Sequence, residues 1–280
     1  MTPSTTGAGV LEGKVAIVTG ASRGIGVGIA QRFAAEGAAV ALVARTVEAR
    51  EGLPGTLRET VARIEAGGGR CIAVQADLSD PAARARIVDR AQAELGPVDI
   101  LVNNAARAFY EPAQTISEKR LRLSLEINLV GPFDLMQRVI PGMRERGAGW
   151  ILNLSSATSV APSGPPWDDF AKHRGVATYA TTKIALERMS QGLAAELHDD
   201  GIAVNTLAPV AAVLTEAAEQ LGVIPKSAPT EPVETMAEAA LALCSGDPRE
   251  LTGRVTLSLR LLEELGVEVR TLDGKALLRA

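Results

Sequence analysis

Histidine, cysteine and tyrosine occur only twice each in these 280 residues. His173 and His198 form no cluster with cysteine, so the ligand set of a zinc site is missing. Cys71 and Cys244 lie far apart in apolar stretches, with no histidine neighbour to activate a thiolate. They read as reduced core residues of a cytoplasmic protein, not as a disulfide or a catalytic thiol. Excess positive charge is also missing. A net charge of −4 argues against broad contact with nucleic acid or anionic lipid, which reward a basic surface. No apolar run approaches the length of a membrane span. The opening "MTPSTTGAGV" has neither a basic start nor an apolar block, and residues 1–11 read as a flexible leader.

What is present is a chain of 46% hydrophobic and 22% charged residues, enough for a sizeable core. Short runs rich in β-branched residues recur: "KVAIVT" (14–19), "AVALVA" (39–44), "CIAVQA" (71–76), "DILVNN" (99–104), "WILNLS" (150–155), "IAVNTL" (202–207) and "RVTLSL" (254–259). They are apolar on both faces, as buried parallel strands are. Helical spacing fills the segments between them, and "SDPAAR" offers an N-cap with Pro81 in the first turn. The alternation predicts a single α/β domain over residues 12–260, a doubly wound parallel (Rossmann) sheet, with 261–280 as a C-terminal extension. Ligands of such sheets bind beyond the carboxyl ends of the strands.

The first strand runs into "VTGASRGIGVGIA". Gly20, Gly24 and Gly26 allow a sharp turn and a close approach of backbone to a pyrophosphate, at the N-terminus of the first helix. The spacing is GxxxGxG; its place between a first strand and a first helix is what makes it a dinucleotide signal. At the second strand end, Ala44 stands where an acid would hold the ribose of NAD, and Arg45 follows. Arg45 and Arg23 favour the 2′-phosphate of NADP(H). The alternative is NAD(H), with Arg45 a solvated loop charge and Glu48 curling back to the ribose.

With these residues in view, the chain resembles the short-chain dehydrogenase/reductase superfamily over about residues 12 to 260. "TGASRGIG" (19–26), "ADL" (76–78), "NNAA" (103–106), Asn128 in "INLVG", "NLSS" (153–156), "YATTK" (179–183) and "VNTLAP" (204–209) carry the resemblance. Within it, the hydroxysteroid dehydrogenase-like and citronellol dehydrogenase-like branches look nearest. The resemblance implies cofactor contacts from Gly20, Ser22, Arg23, Gly24, Ile25 and Gly26, and from Arg45. Asp77 and Leu78 would border the adenine. Asn103 would brace its strand end, while Asn104 and Ala105 pass near the cofactor. Pro209, Val210 and Thr215 would lie by the nicotinamide. Ser156 would orient the substrate oxygen and Tyr179 would be the acid/base. Lys183 would be its partner and a ribose contact, and Asn128 a relay holding a water near Lys183. The resemblance further implies a small-molecule substrate and a homo-oligomer, a dimer or tetramer. Ala106 and Val210 replace glycines usual in the family, and Thr215 falls one position late.

Tyr179 and Lys183 are an i, i+4 pair, about 5–6 Å apart at Cβ on a helix. An ammonium about 4 Å from a phenol, at effective dielectric 20, contributes about 4 kcal/mol, enough to lower the ordinary tyrosine pKa by up to about three units. The expectation is a phenol brought near working pH. The resulting reading is an NADP(H)-dependent oxidoreductase that interconverts an alcohol and a carbonyl on an apolar substrate. The alternatives are an NAD-dependent alcohol dehydrogenase of the same family and a nonenzymatic nucleotide-sensing scaffold. The insert "APSGPPWDDFAKHRGVA" (161–177) reads equally as a binding loop or an oligomer contact. Residues 212–236 read as a second mobile loop.

Overall fold

The computed structural model describes residues 9–49, 52, 54–222, 224 and 227–278. The expected leader lies outside the described residues as far as position 8. Its last residue is part of the fold: Leu11 is buried in the core and its N–H donates to Glu36 O.

Every strand expected from the sequence forms. The described strands are β1 (Val15–Thr19), β2 (Ala39–Ala44), β3 (Arg70–Gln75), β4 (Ile100–Asn103), β5 (Gly149–Leu154), β6 (Ile202–Ala208), β7 (Ala212–Leu214), β8 (Thr230–Pro232) and β9 (Val255–Leu257). Seven of them make one parallel sheet in the order β3-β2-β1-β4-β5-β6-β9. The order reverses between β1 and β4, and such a switch point opens a crevice at the strands' carboxyl ends.

The helices are α1 (Ile25–Ala35), α2 (Leu57–Ala66), α3 (Pro81–Leu95), α4 (Glu118–Leu125), α5 (Gly131–Arg146), α6 (Asp169–His173), α7 (Ala177–Glu196), α8 (Glu216–Leu221), α9 (Val233–Ser245) and α10 (Ser258–Leu265). Side-chain caps explain several starts. Thr56, Asp80 and Ser117 accept from Glu59, Ala82 and Arg120 N–H, and Pro81 takes a first-turn position that needs no donor. On one face of the sheet, Ile29 and Phe33 of α1, Leu57 of α2, Met236 of α9 and Leu261 of α10 join the core. On the other, Ile87 of α3, Leu135 of α5 and Leu186 of α7 do so. Strands covered on both sides must be apolar on both sides, which is why their sequence runs do not alternate. None of the described helices is long and apolar enough to cross a membrane.

Two expectations need correction. The boundary placed at residue 260 falls inside α10, whose Leu261 and Leu262 are buried against the sheet, so the core extends past it. The segment read as a loop over 212–236 contains structure: β7 and β8 pair in parallel, and α8 starts at the side-chain cap of Thr215.

One buried charge cluster ties α1 to α9. The Arg32 side chain is 3% exposed and Glu238 is 7% exposed; Arg32 Nε reaches Glu238 Oε2 at 2.9 Å, and Nη1 reaches Glu36. Removing one partner of such a pair strands a buried charge. Glu238→Ala is expected to destabilise the fold by about 3 kcal/mol, the low end for a broken buried pair because Glu36 remains. Urea denaturation checks this, and a loss below about 1 kcal/mol would place the pair among the weak surface bridges.

Candidate active site

The crevice is built around one contact between the first and fourth strand ends. Thr19 Oγ1 accepts from Asn104 N and Ala105 N, each at 3.0 Å, and Asn104 Nδ2 donates to Thr19 O at 2.8 Å. The glycine loop folds over this contact. A Cβ on Gly26 would meet Asn104 Nδ2 and Gly20 O at 2.5 Å, and Gly20 itself sits at φ +70°. Gly24 is also at positive φ, yet a Cβ there would meet nothing within 4 Å. Its side of the loop faces open space at the N-terminus of α1, which has no acidic residue in its first turn. That combination fits a pyrophosphate: free backbone donors, a favourable helix dipole and no repelling carboxylate.

A cavity of about 460 Å³ extends from this loop along the strand ends, lined by Gly20, Ser22, Arg23, Ile25, Arg45, Asp77, Leu78, Asn104 and Ala105 among others. Nine of the residues expected to touch a cofactor are thereby brought together. Gly24 and Thr215 line a neighbouring cavity of about 310 Å³ that shares Ser22 and Arg23. Thr215 is held as the cap of α8, accepting from Ala218 N at 3.2 Å. Pro209 and Val210 line neither cavity; Val210 N donates to Glu231 at 2.9 Å.

The far end of the main cavity is cationic. Arg23 Nη2 donates to Thr46 Oγ1 at 3.2 Å, and burial together with the nearby Arg45 charge lowers the Arg23 pKa. Arg45 lies 3.6 Å from Asp77. Burial works to raise the Asp77 carboxyl, but donors from Ser79 and the Arg45 charge outweigh it and hold the pKa below its ordinary value. Glu48 is paired with Arg58, so it does not curl back toward this end.

The other end of the site comes from β5 and α7. Ser156 follows β5 and caps a short 3₁₀ turn, its Oγ accepting from Thr158 N at 3.2 Å and Thr158 Oγ1 at 2.9 Å. Both Ser156 bonds use lone pairs, which leaves its own proton for another acceptor. Tyr179 and Lys183 are buried on one face of α7. Lys183 Nζ donates to Leu154 O at 2.7 Å and lies 5.8 Å from the Tyr179 ring centre. Asn128 sits on a π turn, Glu126–Val130, between α4 and α5. Its side chain accepts from Arg107 N at 2.7 Å and donates to Arg107 O, Ser124 and Thr182. Thr182 Oγ1 in turn donates to Tyr179 O at 2.7 Å. Arg107 lines the main cavity, so this hydrogen-bond chain joins the two ends of the site. Asn103 braces the sheet as expected, donating to Asn153 Oδ1 at 2.8 Å.

The expected lowering of the Tyr179 phenol is not found in the cofactor-free protein. Burial pushes its pKa up, the adjacent Tyr110 adds to this, and the Ser156 hydroxyl only partly offsets them. The sequence argument considered charge at helical spacing and left out desolvation, which disfavours the phenolate. Lys183 feels the same burial, lowered to about 8 although Glu187 pulls the other way.

Three residues at the site were not singled out as site residues by sequence. Tyr110 packs edge-on against Tyr179, ring centres 5.8 Å apart. Glu187 accepts from Ser155 Oγ and, at 2.6 Å, from Ser159 Oγ; its i, i+4 spacing from Lys183 was a legible signal. Glu231 lies in a Pro-rich stretch that carries no such signal.

The family model described as short chain dehydrogenase matches residues 14–222. The chain belongs to this family. Hydroxysteroid dehydrogenase-like protein 2 of Xenopus tropicalis is 33% identical over 268 residues, 96% of this chain and 61% of the relative. The chain thus spans about three-fifths of that relative's length. A short chain dehydrogenase from Mycobacterium thermoresistibile superposes with a TM-score of 0.79 at 34% identity, covering 92% of this chain and 89% of the other. A metagenomic short-chain oxidoreductase in complex with NADP gives a TM-score of 0.72 at 28% identity, covering 89% and 98%. The chain has the family's fold.

The two tyrosines of this short-chain dehydrogenase make a clean titration. Tyr179 is buried and its phenol is pushed well up, whereas Tyr110 is 63% exposed and its phenol is raised by partial desolvation against the pull of Arg174. Ultraviolet difference titration of the cofactor-free protein should give two tyrosine midpoints, both above the ordinary value of about 10, with that of Tyr179 the higher. A full phenolate signal at neutral pH would contradict the burial argument.

Proposed function

We propose that this short-chain dehydrogenase is an NADP(H)-dependent oxidoreductase that interconverts an alcohol and a carbonyl on an apolar small molecule. The observation that carries the reading is the meeting of Ser156, Tyr179 and Lys183, joined by hydrogen bonds through Thr182, Asn128 and Arg107 to a cavity that ends at Arg23 and Arg45. Bound in that cavity, a nicotinamide dinucleotide supplies the hydride chemistry. The NADP complex of the metagenomic relative supports this choice of cofactor.

The residues have separable tasks. The Ser156 proton is available to the substrate oxygen, because its lone pairs are occupied by Thr158. Tyr179 gives its proton to that oxygen when a carbonyl is reduced and takes it back when an alcohol is oxidised. Its raised pKa keeps the resting phenol neutral, the form a proton donor needs. The reverse direction requires positive charge nearby, and the buried Lys183 ammonium is placed to provide it. Asn128 spends its side-chain amide on Arg107, Ser124 and Thr182, so that amide ties the π turn to α7 and does not serve as the relay that the resemblance implies. Tyr110 and the exposed Trp167 and Phe170 of the insert support an apolar substrate, and the name of the hydroxysteroid dehydrogenase-like relative points the same way. Exposed Val130, Phe133 and Ile184 support self-association into a dimer or tetramer.

Turnover with a panel of ketones and alcohols, followed by cofactor fluorescence, tests the reading. Tyr179→Phe removes the proton but keeps the ring, so kcat should fall by more than about a hundredfold with cofactor affinity nearly intact. Retained turnover would move the acid/base elsewhere.

Cofactor choice is tested separately. Ala44→Asp with Arg45→Ile gives a free 2′-hydroxyl an acceptor and removes a cation from a 2′-phosphate. The double variant should lose about tenfold or more in kcat/KM with NADPH, the worth of one charge-assisted hydrogen bond, and hold or gain with NADH. A wild-type protein that already prefers NADH would overturn the assignment.

A further inference from the structure

Glu231 is the least expected side chain near the crevice. It is 2% exposed, sits on β8, and no Lys, Arg or His pairs with it among the described residues. Its carboxylate instead receives two donors. Val210 N donates to Oε1 at 2.9 Å and Ser258 Oγ donates to Oε2 at 2.6 Å. Ser258 is fully buried at the start of α10. Burial raises the Glu231 pKa while these donors pull it back. A buried carboxylate without a counter-ion is costly, and a glutamine in its place would turn one of its two acceptors into a donor. Both groups it meets are donors, one on each oxygen, so an acceptor-only side chain is the one that satisfies them together.

One donor sits at the exit of β6 and the other at the start of α10. Pro209, Val210 and Ala211 carry the chain out of β6 into β7, and Val210 stands where the family usually has glycine. We propose that Glu231 is a positioning residue: its carboxylate holds the Val210–Ala211 backbone at the exit of β6 in the shape that receives the nicotinamide end of the dinucleotide, and locks that shape to α10 through Ser258. This rests on the dinucleotide reading above. Glu231 touches neither cofactor nor substrate; it acts through the turn. The arrangement also gives α10, which the sequence left partly outside the domain, a connection to the site.

The test pairs a binding measurement with one that needs no cofactor. In wild-type protein without cofactor, the Val210 amide should exchange slowly with deuterium. In Glu231→Gln it should exchange about tenfold faster or more, the loss of one charge-assisted hydrogen bond. The dissociation constant for NADPH, read by its fluorescence, should rise by a similar factor, and the KM for NADPH with it. Substrate KM at saturating NADPH should rise less than the KM for NADPH. Ser258→Ala removes one donor only and should produce the same pattern more weakly; it carries the test if the Gln variant does not fold. Glu231→Asp should restore part of the protection. Unchanged amide exchange in Glu231→Gln or Ser258→Ala would overturn the proposal, as would faster exchange with unchanged NADPH affinity. Wild-type protein that binds no dinucleotide would instead overturn the underlying cofactor reading, and the exchange rates would still report whether Glu231 holds the turn.

Discussion

The site depends on how closely the end of β1 approaches the end of β4. Asn104 reaches across to Thr19 O and, at the margin of hydrogen-bond distance, to Gly20 O, and Gly26 packs its bare backbone against the same amide. No side chain can be added at Gly26 without moving Asn104 or the Gly20 carbonyl, both within 2.5 Å of where a Cβ would go. This fixes where α1 begins, and so where its unpaired N–H groups point. The main cavity is what remains when two parallel strands are pinned at their ends and the helices diverge from them.

Much of this arrangement was legible from residues alone, because parallel strands buried on both faces must be apolar throughout and glycine loops have few conformations. The seven strands of the main sheet were found to within a residue or two, and nine of the expected cofactor residues share one cavity. What escaped the sequence has common physical causes. The β7–β8 pair is three residues long on each side, too short for any periodic pattern. Glu231 is polar in a polar-looking segment, and only the tertiary fold reveals that it is buried. Tyr179 was recognised from its spacing to Lys183, yet its proton affinity was misjudged, since desolvation depends on packing that spacing does not encode.

Buried polar groups at the catalytic end are connected in series. Asn103, Asn153 and Ser190 link β4 through β5 to α7 at 2.8 Å each. Asn128 and Thr182 link the π turn to the same helix. Each link satisfies a group that would cost about 1–3 kcal/mol if left alone in the interior. The helix carrying Tyr179 and Lys183 is therefore registered against the sheet by directional bonds as well as by apolar packing, which is non-directional and would tolerate sliding. Catalytic geometry that must hold to a fraction of an ångström is better served by the former.

The two ends of the crevice differ in a way that bears on how such a site can change. At the far end Arg45 and Asp77 are more than a third exposed, and Arg45 stands on a loop. Charges there are screened by water and can be exchanged with little effect on the fold. At the other end Tyr179, Lys183 and Asn128 are buried, with Lys183 bonded to β5 and Asn128 to α7. Replacing one there leaves partners unsatisfied in a medium of low dielectric. Under the proposed reading, cofactor preference can thus be altered by substitutions that touch solvent, whereas the proposed proton chemistry is built into the core. A change of substrate is most easily accommodated between these limits, at Tyr110 and the 161–177 insert. There apolar side chains are exposed, and the principal backbone tie back to the neighbouring loop is the bond from Glu111 N to Gly175 O.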